Sequence, residues 1–175
     1  IRQAFGKRLL NPETGLFVGA PGSAHSSLHA NAIPLRFGLV SPENAPRVLD
    51  LIREKRLSCG VYIASFVIEA CYQAGDAALG YSLLTSQDEY SWHEMLKHGA
   101  TTCMEVWGPD QKPNTSWCHP WSSSPVYLII EQVLGLEPAA PGWSALRFRP
   151  RMPASLPEFW ASFPVPRGRM TVRYD

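Results

Sequence analysis

Between Gly99 and Trp121 the chain reads GATTCMEVWGPDQKPNTSWCHPW. The stretch holds one glutamate, Glu105, three of the chain's six tryptophans (Trp107, Trp117 and Trp121), and His119. Asp110, Lys112 and Asn114 lie among them. Indole faces beside carboxylate, imidazole and amide groups suit a sugar. The flat C–H faces of a pyranose stack on indole, and its hydroxyls take directional hydrogen bonds. A glutamate among aromatic side chains is also a place where burial raises a pKa into the range of an acid–base catalyst. On residue types alone, a general base and a loop carboxylate paired with a nearby lysine fit Glu105 equally well. Trp107, Trp117 and Trp121 fit either a cleft or core packing, and His119 either a ligand contact or a structural role.

Other polar residues carry less. His25 and His29 are close in sequence, but no third ligand type clusters with them, so a loop anchor or cleft rim fits better than a metal pair. Asn31 falls in the same region as a candidate rim contact. Glu69 sits in the apolar run Val61–Tyr72 and needs a partner there. Ser26, Ser27 and Ser122 to Ser124 lack the strand–turn–helix context of a nucleophilic serine. Cys59 and Cys71 read as small buried hydrophobes, and no metal-type pairing of cysteines is present. A Cys103–Cys118 disulfide is compatible with the sequence, although unpaired thiols are the simpler reading. No metal or other cofactor is implied.

The bulk properties narrow the partners. A domain of 175 residues buries roughly 70% of its unfolded surface and needs no disulfide or metal staple. The net charge is +1 and the Lys and Arg residues are scattered, which argues against a nucleic-acid surface. The arginines between Arg147 and Arg173 alternate with apolar residues, as on the wet face of a sheet. No uninterrupted apolar run approaches the ~20 residues that cross a bilayer, so no membrane partner is expected.

The elements that must position these residues are mostly helical. IRQAFGKRLL is amphipathic with no cap before it and reads as the end of a helix begun upstream, closed by the turn Asn11–Gly15. LHANAIPLR has helical period but contains Pro34, so its helix either starts near Ser26 and kinks or starts at Pro34. Ser41-Pro42-Glu43-Asn44 is a helix start, and Val48, Leu49 and Ile52 form one apolar face after it. Val61–Tyr72 is apolar almost all round and predicts an inner helix ended by Gly75. Asp76 and Ser91 cap two short helices, and Ser123–Leu134 reads as another, stopped by Gly135. Helices that alternate between apolar-all-round and amphipathic describe a two-layered array. Then the composition changes. Glu137 to Trp143 reads as a Pro/Gly linker, followed by period-two segments at Ala145–Arg149, Phe159–Val165 and Met170–Tyr174. The expected division is a helical part, 1–137, and a strand part, 138–175.

SSLHAN (Ser26–Asn31), GATTCMEVW (Gly99–Trp107), SWCHPW (Ser116–Trp121) and PGWSALRFRP (Pro141–Pro150) together resemble the bacterial α-L-rhamnosidases of glycoside hydrolase family 78. The tags are short, but their order and the helix-to-strand switch make the combination specific. The resemblance implies a mainly α fold with a small β part: the second half of an (α/α)6 six-hairpin toroid, then an incomplete antiparallel β-sandwich. It implies an inverting hydrolase that removes terminal α-L-rhamnose from glycans or glycosides, with Glu105 as general base. His119 then contacts the sugar, and Trp107 and Trp121 line or support its site. Two departures stand out: Val106 replaces a frequent Arg, and the loop between base and histidine is shorter than usual. The resemblance also places the general acid in the first half of the barrel, outside this chain, so these 175 residues by themselves are expected to be inactive. An exposed half-barrel face would then invite self-association.

Two other classes compete. A non-catalytic carbohydrate-binding or scaffolding module would keep the aromatic cleft without an acid. Another (α/α)6 glycosidase, trehalase-like or an unsaturated-uronyl hydrolase, would carry a different arrangement of barrel acids.

Overall fold

Ser27, Asp76 and Ser91 each open a helix in the same way. Their side-chain oxygens accept a hydrogen bond from the backbone N–H three residues on, at 3.0, 2.9 and 3.2 Å, satisfying a donor that the first helical turn leaves free. In this computed structural model, which describes residues 1–174, the caps start α2 (Leu28–Arg36), α5 (Ala77–Leu84) and α6 (Trp92–Lys97). With α1 (Arg2–Leu9), α3 (Ala45–Lys55) and α4 (Val61–Gln73) they form a unit spanning Ile1–Pro125. Residues Val126–Asp175 form a second unit, of which Asp175 lies outside the described residues.

The centre of the first unit is α4. Every residue from Val61 to Tyr72 except Tyr62 and Phe66 is buried, as the all-round apolar pattern requires. Val48, Leu49, Leu51 and Ile52 of α3 are buried too, while Arg47, Asp50, Arg53 and Glu54 face water. Glu69, the acid of α4, pairs with the Nε–H of Arg36, the last residue of α2. Burial without that cation would be costly for a carboxylate, so the pair ties the two helices together. Pro34 lies inside α2, which starts at Leu28 behind its Ser27 cap, so the earlier of the two predicted starts is the one used. The helix expected from Pro42 begins instead at Ala45. Ser41 first closes a turn, its carbonyl accepting from Asn44 and Ala45, and its hydroxyl bonding the Asn44 side chain.

The second unit departs from expectation in two places. The helix predicted over 123–134 is α-helical only at α7 (Pro125–Leu128) and continues as a π-turn, Ile129–Val133. The start of the stretch read as a linker, from Glu137, falls in a strand, β1 (Leu136–Pro138), paired antiparallel with β2 (Leu146–Phe148). Its three residues are too few for an alternation to register, but Leu136 is buried and faces Phe148 in the ladder. The predicted segments further on form a hairpin of β3 (Phe159–Val165) and β4 (Gly168–Tyr174), its end closed by the stacked rings of Phe159 and Tyr174. The described strands therefore make two separate two-stranded antiparallel sheets.

Gly135 is the tightest point of this unit. Its φ is +65°, its carbonyl accepts from Arg149 N–H at 2.8 Å, and a Cβ there would lie 1.7 Å from the Arg149 carbonyl oxygen. Gly135→Ala is expected to destabilise the unit by about 1–3 kcal/mol, from left-handed backbone strain and overpacking together. A lower urea midpoint would register it, and an unchanged midpoint would contradict the close approach.

Candidate active site

The segment from Gly99 to His119 contains one short element, the 3-10 turn Pro109–Gln111, and is otherwise held by bonds between its own two arms. Glu105 N–H donates to the Ser116 carbonyl at 2.9 Å and His119 N–H to the Cys103 carbonyl at 2.8 Å. The Thr102 hydroxyl donates to the Trp117 carbonyl. These bonds lay residues 102–105 against 116–119 and bring Glu105 and His119 to one place.

Trp107 fixes the arm from beneath. It is 1% exposed and the largest fully buried side chain among the described residues. Its indole N–H donates to the Cys59 carbonyl at 2.7 Å, just before α4, and its ring meets that of Trp92 edge-on at 5.0 Å. The indole N–H of Trp92 donates in turn to the Ser122 carbonyl at 2.8 Å. Two tryptophans thus connect the start of α4, the Glu105 arm, α6 and the 3-10 turn Pro120–Ser122. The sequence left open whether Trp107 lines the site or supports it. The structure places its ring in the core, beneath the arm that carries Glu105.

Glu105 itself is 16% exposed. Its Oε1 takes the Lys112 ammonium at 2.5 Å and its Oε2 accepts from Ser116 N–H at 3.0 Å. The Lys112 hydrogen bond first, then the Ser116 N–H, hold its carboxyl below the usual glutamate range, with smaller contributions of the same sign from the charges of Lys112 and His119. This corrects the expectation that burial raises it. Charge-assisted bonding outweighs desolvation, so the group is a carboxylate at neutral pH. Ionised, it can accept a proton.

His119 precedes the Pro120–Ser122 turn, and its carbonyl accepts from the Ser122 hydroxyl at 2.6 Å. Its ring lies 4.2 Å, centroid to centroid, from that of Trp121, which meets Tyr62 at 5.4 Å. Trp121 is 51% exposed and Tyr62 50%. The two rings form an open apolar shelf running from the imidazole. Tyr62 was not among the residues singled out from the sequence. Its signal was there as an aromatic with a polar tip in the first turn of an otherwise apolar helix. Its ring also rests on Gly60, where a Cβ would come within 3.3 Å of it. Trp117 is exposed as well, but no ring contact joins it to the shelf.

The remaining candidates separate from this cluster. Asn31 is fully buried and structural rather than a rim contact. Its amide donates to the carbonyls of Phe17 and Ser27, both at 2.9 Å, and its oxygen accepts from Phe17 N–H at 2.8 Å. His25 and His29 are exposed, and no group of three or more His, Cys, Asp or Glu among the described residues is placed to hold a metal ion. The four cysteines are free, and burial pushes the thiols of Cys59 and Cys71 up to about 12, which leaves them inert. No helix among the described residues is long and apolar enough to cross a membrane.

No curated protein matches the sequence. Among solved structures, the chain superposes on a crystal structure of Streptomyces avermitilis alpha-L-rhamnosidase complexed with L-rhamnose, with a TM-score of 0.77 and 22% sequence identity. The match covers 98% of this chain and 17% of that one, so the chain spans about a sixth of its neighbour's length. At this identity the likeness is one of fold: a helical six-hairpin part followed by a β part. The family model described as the bacterial alpha-L-rhamnosidase 6 hairpin glycosidase domain matches residues 1–133, and the bacterial alpha-L-rhamnosidase C-terminal domain matches 135–175. The chain belongs to the bacterial α-L-rhamnosidase family.

Proposed function

We propose that these residues form one side of the active site of an inverting glycoside hydrolase that releases terminal α-L-rhamnose, with Glu105 as the general base. The observation that carries this reading is the Glu105 carboxylate. It is held ionised by Lys112 and Ser116 N–H, partly open to solvent, and set beside His119 and an exposed aromatic shelf. Each oxygen has one donor bound and keeps a further acceptor site, so a water can hydrogen-bond to the carboxylate and lose its proton as it attacks the anomeric carbon. His119 offers a hydrogen bond to a sugar hydroxyl. Trp121 and Tyr62 offer the flat apolar surface that a pyranose C–H face packs against.

Inversion needs a second carboxyl group ~6.5–9.5 Å from the first, protonating the leaving oxygen from the opposite side. We assign that acid to a residue outside these 175. Turnover is therefore measured on the complete gene product that contains them. Hydrolysis of an aryl α-L-rhamnoside by that product, lost in Glu105→Gln, is the expected result. Full activity in the variant would remove Glu105 from the chemistry. Saturable sugar binding with no hydrolysis by the wild type would favour a binding module instead.

The shelf gives a separate prediction. Trp121→Ala and Tyr62→Ala should each raise KM roughly 3- to 10-fold, the worth of an aromatic contact of about 0.5–1.5 kcal/mol, and leave kcat within about twofold. A kcat loss at constant KM would place these rings elsewhere in the mechanism.

A further inference from the structure

The loop between Glu105 and His119 carries a residue that neither motif includes. Lys112 follows the 3-10 turn Pro109–Gln111, and its backbone is fixed from both sides. Gln111 N–H donates to the Gly108 carbonyl at 3.1 Å, and Thr115 N–H to the Lys112 carbonyl at 3.2 Å. The Gln111 side-chain oxygen accepts from Trp107 N–H at 3.3 Å, which moors the turn to the support beneath Glu105. From this base the Lys112 ammonium reaches Glu105 Oε1 at 2.5 Å, while Ser116 N–H takes Oε2 at 3.0 Å.

A glutamate side chain has three rotatable bonds, and a carboxylate bonded through one oxygen still swivels. Two donors on separate oxygens, Lys112 from the connecting turn and Ser116 N–H from the returning arm, fix its plane. Each donor takes one acceptor position, so the positions left for water are fixed as well. We propose that Lys112 is a positioning residue for Glu105: its ammonium on Oε1, opposite Ser116 N–H on Oε2, sets the orientation of the carboxylate that faces the site. This rests on the reading of Glu105 as the base.

The titratable groups acting on Glu105 are Lys112, from the loop, and His119, from the turn that follows it. Both favour the carboxylate, and Lys112 does so most through its direct hydrogen bond. The sign follows. A base works when deprotonated, so activity is lost as pH falls through its pKa. Removing a cation that lowers this pKa moves the loss to higher pH.

The test is the pH dependence of kcat/KM for an aryl α-L-rhamnoside in the complete gene product, for wild type, Lys112→Met, Lys112→Gln, Lys112→Arg and Glu105→Gln. Lys112 is 39% exposed on a surface loop, so two neutral variants guard against misfolding in either. The acid limb is expected to move to higher pH in Lys112→Met and Lys112→Gln and to return toward wild type in Lys112→Arg. An acid limb unmoved in both neutral variants overturns the proposal. So does an equal shift in Lys112→Arg, which would trace the effect to loop packing rather than charge. Activity retained in Glu105→Gln is a different failure, that of the base assignment itself.

Discussion

Glu105→Gln is expected to lower kcat for rhamnoside hydrolysis by about 10²–10⁴-fold with little change in KM. The substitution is nearly isosteric. The amide keeps an oxygen that can accept from Ser116 N–H, while its NH2 end, a donor only, gives up the Lys112 contact. What disappears is the capacity to take a proton from water, a property used in the transition state and not in binding the ground state. A loss concentrated in kcat therefore separates a catalytic base from a residue that merely holds sugar. The interactions around Glu105 tie the two arms of one loop, and the buried layer beneath it, Met104 and Trp107, is untouched by the change. The unfolding midpoint should stay within a few degrees of wild type. A KM rise with kcat preserved would assign Glu105 to binding.

The second large effect is structural and falls on Trp107→Ala. A fully buried tryptophan replaced by alanine typically costs about 3–5 kcal/mol, part from lost apolar burial and part from the cavity left behind. Here the cost sits at the upper end of that range for a stated reason. The Cys59 carbonyl loses the indole N–H that satisfies it at 2.7 Å, and Trp92 loses its edge-on partner. Urea denaturation of the gene product and of its variant gives the difference. Trp107→Phe separates the two contributions, since it refills most of the volume but restores no donor. Because Trp107 links the start of α4 to the Glu105 arm, activity should fall in Trp107→Ala even where the variant remains folded. A loss of less than about 1 kcal/mol would show that the ring is not the support it is argued to be.

Much of this was legible in the sequence wherever the signal was local. Ser27, Asp76 and Ser91 announce their helices because a cap is a single side chain bonded three residues away. The inner position of α4 follows from an apolar run long enough to show no polar face. Glu105 and His119 stand out by residue type and company. What the sequence hid depends on partners distant along the chain. Glu137 and Pro138 of β1 read as linker because their ladder with β2 is a tertiary fact, and the π-turn after Leu128 has no periodic signature. Trp107 and Trp121 look alike in sequence, yet Trp107 is buried against Cys59 and Trp92 while Trp121 lies open beside His119. Tyr62 joins the shelf from a helix far upstream. The pairing of Glu105 with Lys112 is present, and with Ser116 N–H it lowers the carboxyl pKa.

In the proposed reaction Glu105 activates a water that attacks the anomeric carbon directly, with no glycosyl-enzyme in between. The anomer formed first decides it, because direct attack by water opposite the leaving group inverts the centre and a covalent intermediate retains it. Proton NMR of the complete gene product acting on an aryl α-L-rhamnoside, recorded before mutarotation, should show β-L-rhamnose appearing first and the α anomer growing in later. Release of the α anomer first would contradict the account.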